Sequence, residues 1–218
     1  MIKTLKQLTK AILIAVVPVR FILWRKNNRK NSVALTFDDG PNPEFTPKLL
    51  AVLKEKNIKA SFFLVGENIE KYPEVVKQIY AEGHDIGNHG YSHQYMTQLK
   101  KHELRNEIIK TSECLANLGI ECRLFRPPYG EIRYKFLPTI WKMGFTIVMW
   151  SIDTRDFESK SAADVIERVE RAGMRSGDLL LLHDESDVTI EAVRTICDNA
   201  IANGLEFVRA SEMLTPGS

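Results

Sequence analysis

The chain has 218 residues, 44% hydrophobic and 27% charged, a size and composition that fit one globular domain with a sizeable core. A net charge of +2, without a basic patch interleaved with aromatics, excludes nucleic acid as an expected partner. The three cysteines, Cys114, Cys122 and Cys197, lie in no CxxC spacing and make neither a disulfide framework nor a zinc–thiolate site. A single Cys114–Cys122 bridge is weighed against reduced thiols, and reduced thiols are expected.

The first 31 residues stand apart. Lys3, Lys6 and Lys10 precede the apolar run 11–17, which Pro18 and Arg20 then interrupt. A basic stretch followed by a short apolar one is the pattern of an export signal or signal anchor. It is shorter than the roughly 20 apolar residues of a spanning helix. The competing reading is a helix packed on the domain and feeding a strand at 21–24. Export or membrane association is preferred, which places the protein outside the cytoplasm or at the membrane of the cell envelope. The basic run 25–30 reads as a solvated turn.

From residue 32 to 218 a single domain alternates apolar runs with amphipathic segments. The pattern predicts strands at 33–37, 60–65, 85–88, 146–150, 178–182 and 207–208. It predicts helices at 46–56, 72–82, 101–118, 134–143, 163–172 and 190–203. Leu124 and Phe125 lead into Arg126-Pro127-Pro128, where two prolines force a rigid turn. Continuous apolar strands between helices imply a parallel sheet covered by helices. With about seven such units, a closed or partly closed (β/α) barrel is expected. No GxGxxG follows any strand, which disfavours a dinucleotide-binding sheet.

Polar clusters fall where these strands end, the rim that carries function in parallel α/β folds. Asp38 and Asp39 enter a Gly-Pro turn, so one carboxylate is free to bind a cation while the other faces substrate; taken alone, Asp-Gly-Pro is usually only a turn. His89 and His93 are four apart in a glycine-rich stretch. With Asp39 they offer two nitrogens and one oxygen, leaving positions for water as a catalytic metal requires. His183 is delivered to the rim by the apolar run 178–182. Asp153 and Asp156 are both candidates to accept a hydrogen bond from a histidine and raise its basicity. Arg126 is held toward a carboxylate by its turn. His84 reads as a core histidine bonded to backbone, and His102 as a residue on the polar side of a helix.

The ordered set Thr36-Phe37-Asp38-Asp39-Gly40-Pro41, Asn88-His89-Gly90-Tyr91-Ser92-His93, Arg126-Pro127-Pro128-Tyr129-Gly130, Asp153-Thr154-Arg155-Asp156-Phe157 and Leu181-Leu182-His183-Asp184 resembles the polysaccharide deacetylases with a NodB homology domain, carbohydrate esterase family 4. The resemblance spans residues 33–214. It implies an α/β fold, a distorted (β/α) barrel, and a metal-dependent hydrolase that removes acetyl groups from N-acetylated sugars of peptidoglycan or a chitin-type oligosaccharide. It further implies Asp39, His89 and His93 as ligands of one divalent metal, zinc first, with cobalt, nickel or manganese as substitutes. Asp38 is then the general base, held by Arg126. His183 is the acid oriented by Asp156, and the Tyr129 backbone N–H is an oxyanion donor. Pro128, Phe157 and Leu181 line the substrate site. The implied partner is the glycan, and a monomer is expected.

Two departures bear on substrate choice. Phe157 stands where the family usually has tryptophan, and Glu185-Ser186-Asp187 is more acidic than the usual stretch. The alternatives are a deacylase of a lipid-linked amino sugar or small amide on the same fold, and a non-catalytic glycan-binding module.

Overall fold

The computed structural model describes residues 17–26 and 31–215. The expected export segment falls almost wholly on residues 1–16, and part of the basic run on 27–30, both outside the described residues. No described helix is long and apolar enough to cross a membrane.

In chain order the elements are β1 (Ile22–Leu23), β2 (Ser32–Asp38), α1 (Phe45–Glu55), β3 (Ser61–Leu64), α2 (Gly66–Lys71), α3 (Pro73–Ala81), β4 (Asp85–Asn88), α4 (Lys101–Asn117), β5 (Leu124–Phe125), α5 (Leu137–Lys142), β6 (Thr146–Val148), β7 (Ile152–Asp153), α6 (Ala162–Ala172), β8 (Leu179–His183), α7 (Asp187–Ala202) and β9 (Glu206–Phe207). The strands run in the order β1-β6-β5-β4-β3-β2-β8-β7, with β9 beside the start of β2. Every pairing is parallel. This is the expected α/β barrel in distorted form: a parallel sheet curled into a half-barrel. The expected strand number of about seven is corrected to nine among the described residues.

Alternation along each strand decides what fills the curl. Leu23, Ala34, Phe63, Leu124, Val148 and Leu179 come from six different strands and pack together with Ala210 and Met213. Their strand neighbours belong to two other clusters. Leu35, Phe62 and Leu180 meet the apolar faces of α1, α3, α6 and α7. Ile22, Phe125 and Ile147 meet those of α4 and α5. The first set therefore lines the concave side and the second the convex side under the helices. Gly87 falls on the concave side of β4, where a Cβ would lie 2.3 Å from the ring of Phe63. Phe63 occupies that place instead.

Helix ends follow local chemistry. Ser161 caps α6 through the Asp164 N–H while Asp164 reaches back to the Ser161 N–H. Ser186 accepts from the Thr189 N–H at the start of α7. The predicted helix over 134–143 is a 3₁₀ turn, Tyr134–Phe136, followed by the six-residue α5. Pro138 lacks the N–H that would continue one helix through both, and sits in the first turn of α5 instead. The predicted strand 146–150 ends at Val148. The carbonyls of Val148 and Met149 accept from the side chain of Arg126.

The two ends of the sheet path, β1 and β7, are joined through a side chain. Asp178, buried just before β8, accepts from Arg25 Nη2 at 3.2 Å, from Ser151 Oγ at 2.6 Å and from the Arg175 N–H at 2.9 Å. The Lys26 N–H adds a backbone bond to Gly177 at 3.1 Å. Arg25 follows β1 and Ser151 precedes β7, so one carboxylate links both edges. Removing it strands a partly buried guanidinium and an unpaired N–H. Asp178→Ala is expected to lower unfolding free energy by about 3 kcal/mol, read by urea titration; a change within 0.5 kcal/mol would show the seam to be decorative.

Candidate active site

The concave parity that builds the inner core also delivers the polar groups. Two residues beyond Ala34 and Leu124 on the same side come Thr36 and Arg126; Asp38 lies two further along β2. Leu181 and His183 follow Leu179 in the same way, and His89 follows Gly87. Asp38 pairs in register with His183 on β8 and Phe63 on β3. All of these positions lie at the carboxyl ends of parallel strands.

Arg126 is fully buried at the centre. Its Nη1 donates to Asp38 Oδ1 at 2.6 Å and to Thr36 Oγ1 at 2.8 Å. Nε donates to the Val148 carbonyl at 2.9 Å and Nη2 to the Met149 carbonyl at 3.0 Å. The guanidinium lies 4.1 Å from the centroid of Phe63, a cation–π distance. Burial pulls its pKa down, and the Asp38 charge and hydrogen bond work against that. Asp38 Oδ1 is thereby fixed, while Oδ2 lies 3.6 Å from His89 Nε2.

Asp39, His89 and His93 converge. Their ligand atoms lie within 4.8 Å of one another. Asp39 Oδ1 is 3.3 Å from His89 Nε2 and 3.0 Å from His93 Nε2. Ligands about 2.0–2.1 Å from a tetrahedral ion stand roughly 3.3–3.4 Å apart; the His89 spacing matches such an edge and the His93 spacing is shorter by about 0.3 Å. Asp39 Oδ1 is also buried without a hydrogen bond of acceptable geometry, an orphan acceptor that a cation would satisfy. Burial raises the Asp39 pKa, but the two imidazoles outweigh it and hold the carboxyl well below the usual range. One carboxylate oxygen and two imidazole nitrogens fit a divalent transition ion. His89 Nδ1 lies 2.8 Å from the Arg126 carbonyl, which orients Nε2 toward the site.

Two residues to which the sequence assigned no role brace the histidine loop. Asn88 bonds the Ile108 carbonyl at 2.8 Å and accepts from the Gly90 N–H at 2.9 Å. Glu107 accepts from the N–H groups of Tyr91 and Ser92 and from Ser92 Oγ, each at 2.9 Å. Nothing in the local sequence marks Glu107, which sits 15 residues downstream on α4.

His183 forms the other half of the site. Its Nδ1 lies 2.9 Å from Asp156 Oδ1, and its Nε2 3.9 Å from Asp39 Oδ2. Of the two aspartates that were candidates, the structure brings Asp156 to the histidine. Asp153 is exposed and accepts from the Arg155 N–H instead. Asp156 also accepts from the His183 N–H at 2.8 Å, Thr189 Oγ1 at 2.8 Å and Thr154 Oγ1 at 3.1 Å. Burial pulls the His183 pKa down, yet the Asp156 hydrogen bond and the nearby carboxylates raise it to about 9. Thr154 and Thr189 were not foreseen; only their neighbourhood in chain and space reveals them.

The remaining site positions differ in kind. Tyr129 is half exposed and holds φ 59°, a left-handed conformation costly for a side chain of its size. Its ring centroid lies 4.6 Å from that of His93. Phe157 is the most exposed large apolar residue among the described residues and meets His183 edge-on at 5.3 Å. Pro128 is buried, and Leu181 is 6% exposed on the concave side of β8. As expected, His84 is a buried histidine whose Nδ1 accepts from the Ala60 N–H, and His102 is exposed. The cysteines are free thiols.

Parallel strands with a rim of carboxylates and imidazoles, and an orphan oxygen between two histidines that could hold a metal ion, are the arrangement of a hydrolase on a curled α/β sheet. The sequence profile of the polysaccharide deacetylases matches residues 25–148, and the chain belongs to that family, the carbohydrate esterases of family 4. A peptidoglycan-N-acetylglucosamine deacetylase of Bacillus cereus is 44% identical over 189 residues, 84% of this chain and 68% of the relative. A chitooligosaccharide deacetylase of Azorhizobium caulinodans is 34% identical over 73% of this chain and 77% of its own. The crystal structure of the Bc1960 peptidoglycan N-acetylglucosamine deacetylase superposes with a TM-score of 0.84 at 41% identity, covering 88% of this chain and 92% of that one. A family 4 pseudoenzyme from Bacillus anthracis also superposes with a TM-score of 0.84, at 27% identity, covering 90% and 69%.

Asp184 sits directly behind the site, wholly buried, with Oδ2 against Thr46 Oγ1 and Oδ1 without a partner. Burial, opposed by the Thr46 hydrogen bond, pushes its pKa up to about 8. The unfolded carboxyl ionises near 3.8. Between those values the folded state holds a proton that the unfolded state has lost, so stability falls as pH rises through the window. Asp184→Asn mimics the neutral form. It is expected to raise the melting temperature above that of the parent at pH 8.5 and to leave it unchanged at pH 4, measured by calorimetry.

Proposed function

We propose that this chain hydrolyses the N-acetyl groups of a β-linked amino-sugar polymer, peptidoglycan N-acetylglucosamine or a chitin-type oligosaccharide, at the cell envelope. The observation that carries the reading is the pairing of an arginine-pinned carboxylate, Asp38, with an aspartate-backed histidine, His183, on either side of Asp39. The similarity to deacetylases of both glycan types supports the substrate class.

A divalent ion, zinc first, held by Asp39, His89 and His93 supplies Lewis acidity toward the acetyl carbonyl and a lowered pKa for water. Asp38 takes the proton of the attacking water. Arg126 holds Oδ1, so Oδ2 is the oxygen left for that transfer. Negative charge develops on the acetyl oxygen as the new C–O bond forms, and the Tyr129 N–H donates to it; donors of this kind are worth about 3–4 kcal/mol. As the C–N bond breaks, His183 Nε2 gives its proton to the departing nitrogen. Acetate and a free amine result. Asp156 keeps His183 charged for this step and fixes the ring through Nδ1. A non-catalytic role would be expected to follow loss of the base, a ligand or the acid, and the residues read here in those five roles, Asp38, Asp39, His89, His93 and His183, are all retained in the chain.

The test is acetate release from N-acetylglucosamine oligomers by purified protein, stripped with chelator and reloaded. Stripping is expected to abolish release, and zinc, cobalt, nickel or manganese to restore it; release that survives stripping rules the metal out. Asp38→Asn should still bind metal by calorimetric titration while turnover drops about 10²–10⁴-fold. Turnover should also decline as pH rises past about 9, where His183 loses its proton. Asp156→Asn removes the carboxylate that sustains that charge, so the alkaline limb should move to lower pH. An unmoved limb would assign the acid elsewhere.

A further inference from the structure

Two tyrosines beside the site are spent in a way that folding does not require. Tyr95 and Tyr129 stack face to face, with ring centroids 3.8 Å apart and planes within 9°. Yet they remain 43% and 48% exposed. Stable cores bury aromatics, whereas a contiguous exposed aromatic surface beside a polar site marks a place of contact. One face of Tyr95 is covered by Tyr129, so its exposed area lies on the outer face and edge. Tyr129 is held in the left-handed region by the Pro127-Pro128 turn before it and Gly130 at φ 63° after it. Strain of this sort at a non-glycine residue clusters at functional positions.

The position of the stack says what it meets. Tyr129 flanks His93, and His93 Nε2 touches Asp39 Oδ1. On the other carboxylate oxygen lies His183, flanked in turn by exposed Phe157. The reacting centre is thus bracketed by an aromatic wall on each side, two rings deep on the His93 side. A polymer crossing the site runs from one wall to the other, whereas a single sugar or small amide needs neither. Pyranose rings present flat C–H faces that match a flat aromatic face in shape and apolarity, and such rings in a binding groove fix orientation with little entropy cost.

We propose that the Tyr95–Tyr129 stack is a shelf for the sugar ring next to the one that loses its acetyl group, with Tyr95 a specificity-determining residue for chains over monomers. This rests on the reading of the site as a glycan deacetylase. The test uses the zinc-loaded full chain and the fully deacetylated glucosamine pentamer, which offers the same ring faces and has no acetyl group to lose. Calorimetric titration should show Tyr95→Ala binding the pentamer about fivefold to tenfold more weakly than the parent. Tyr95→Phe should match the parent, because the ring and not the hydroxyl makes the contact. Tyr80→Ala, which removes a comparably exposed tyrosine on α3, should also match it. Parent-like binding by Tyr95→Ala, or a parent that binds no pentamer, overturns the shelf. Acetate release from the N-acetylated pentamer is measured in parallel. Release with binding that ignores Tyr95 removes only the shelf, whereas Tyr95-dependent binding without release removes only the reaction.

Discussion

A guanidinium with no exposure to solvent is the constraint around which this molecule is arranged. Arg126 uses its donors on Asp38, Thr36 and the carbonyls of Val148, the last residue of β6, and Met149 just beyond it, and lies against the face of Phe63. Burying a charge is tolerable only when it is paired and fully bonded, and losing one partner of such a pair costs about 3–5 kcal/mol. The charge is thus a structural commitment as well as a chemical one. Its Asp38 contact fixes the carboxylate, its carbonyl contacts fix where β6 stops, and its own carbonyl fixes the ring of His89. Three strands are locked to one another before any ligand arrives.

The two halves of the site differ electrically. On one side two imidazoles hold a carboxylate ionised and leave one of its oxygens unsatisfied. On the other a carboxylate holds an imidazole charged. In both halves burial opposes the outcome and the paired group overrides it. Asp184, next in the chain to His183, has the Thr46 hydroxyl and a backbone N–H but no opposite charge to offset its burial, and there burial wins. Equivalent side chains in one small volume thus hold opposite protonation states, as acid–base chemistry at neutral pH demands.

Much of this was legible in the sequence, because long-range convergence here is built from short-range rules. Alternation places Asp38, Arg126 and His183 on the side of the strands that their apolar neighbours Ala34, Leu124 and Leu179 already occupy. Apolar runs 33–37, 60–65 and 178–182 sit close to β2, β3 and β8. What escaped were features that depend on partners distant in sequence. The strands β5 and β7 have two residues each, too few for a periodic signal, and exist through backbone bonds to neighbours. Helix α2 opens on Gly66, a residue that argues against helix, because a Cβ there would meet Tyr91 and Thr111. Glu107 and Thr189 act through groups far along the chain, and the choice of Asp156 over Asp153 came from the resemblance of the motif, because spacing alone left both open.

The linkage at Asp178 has a mechanical meaning. Along the interior of the sheet, neighbouring strands are held by ladders of amide bonds, whereas the two ends of the path share no strand ladder among the described residues and meet through the Asp178 carboxylate and the Lys26–Gly177 backbone bond. Such a join gives way at lower free energy than the ladders beside it. Transient opening of the molecule would then begin as an unfurling from β1 and β7, with amide protons there exchanging with solvent long before those of β2, β3 and β8. Asp38 on β2 would ride through such fluctuations undisturbed, while Ser151 and the loop carrying Phe157 and Asp156, the partner of His183, would breathe.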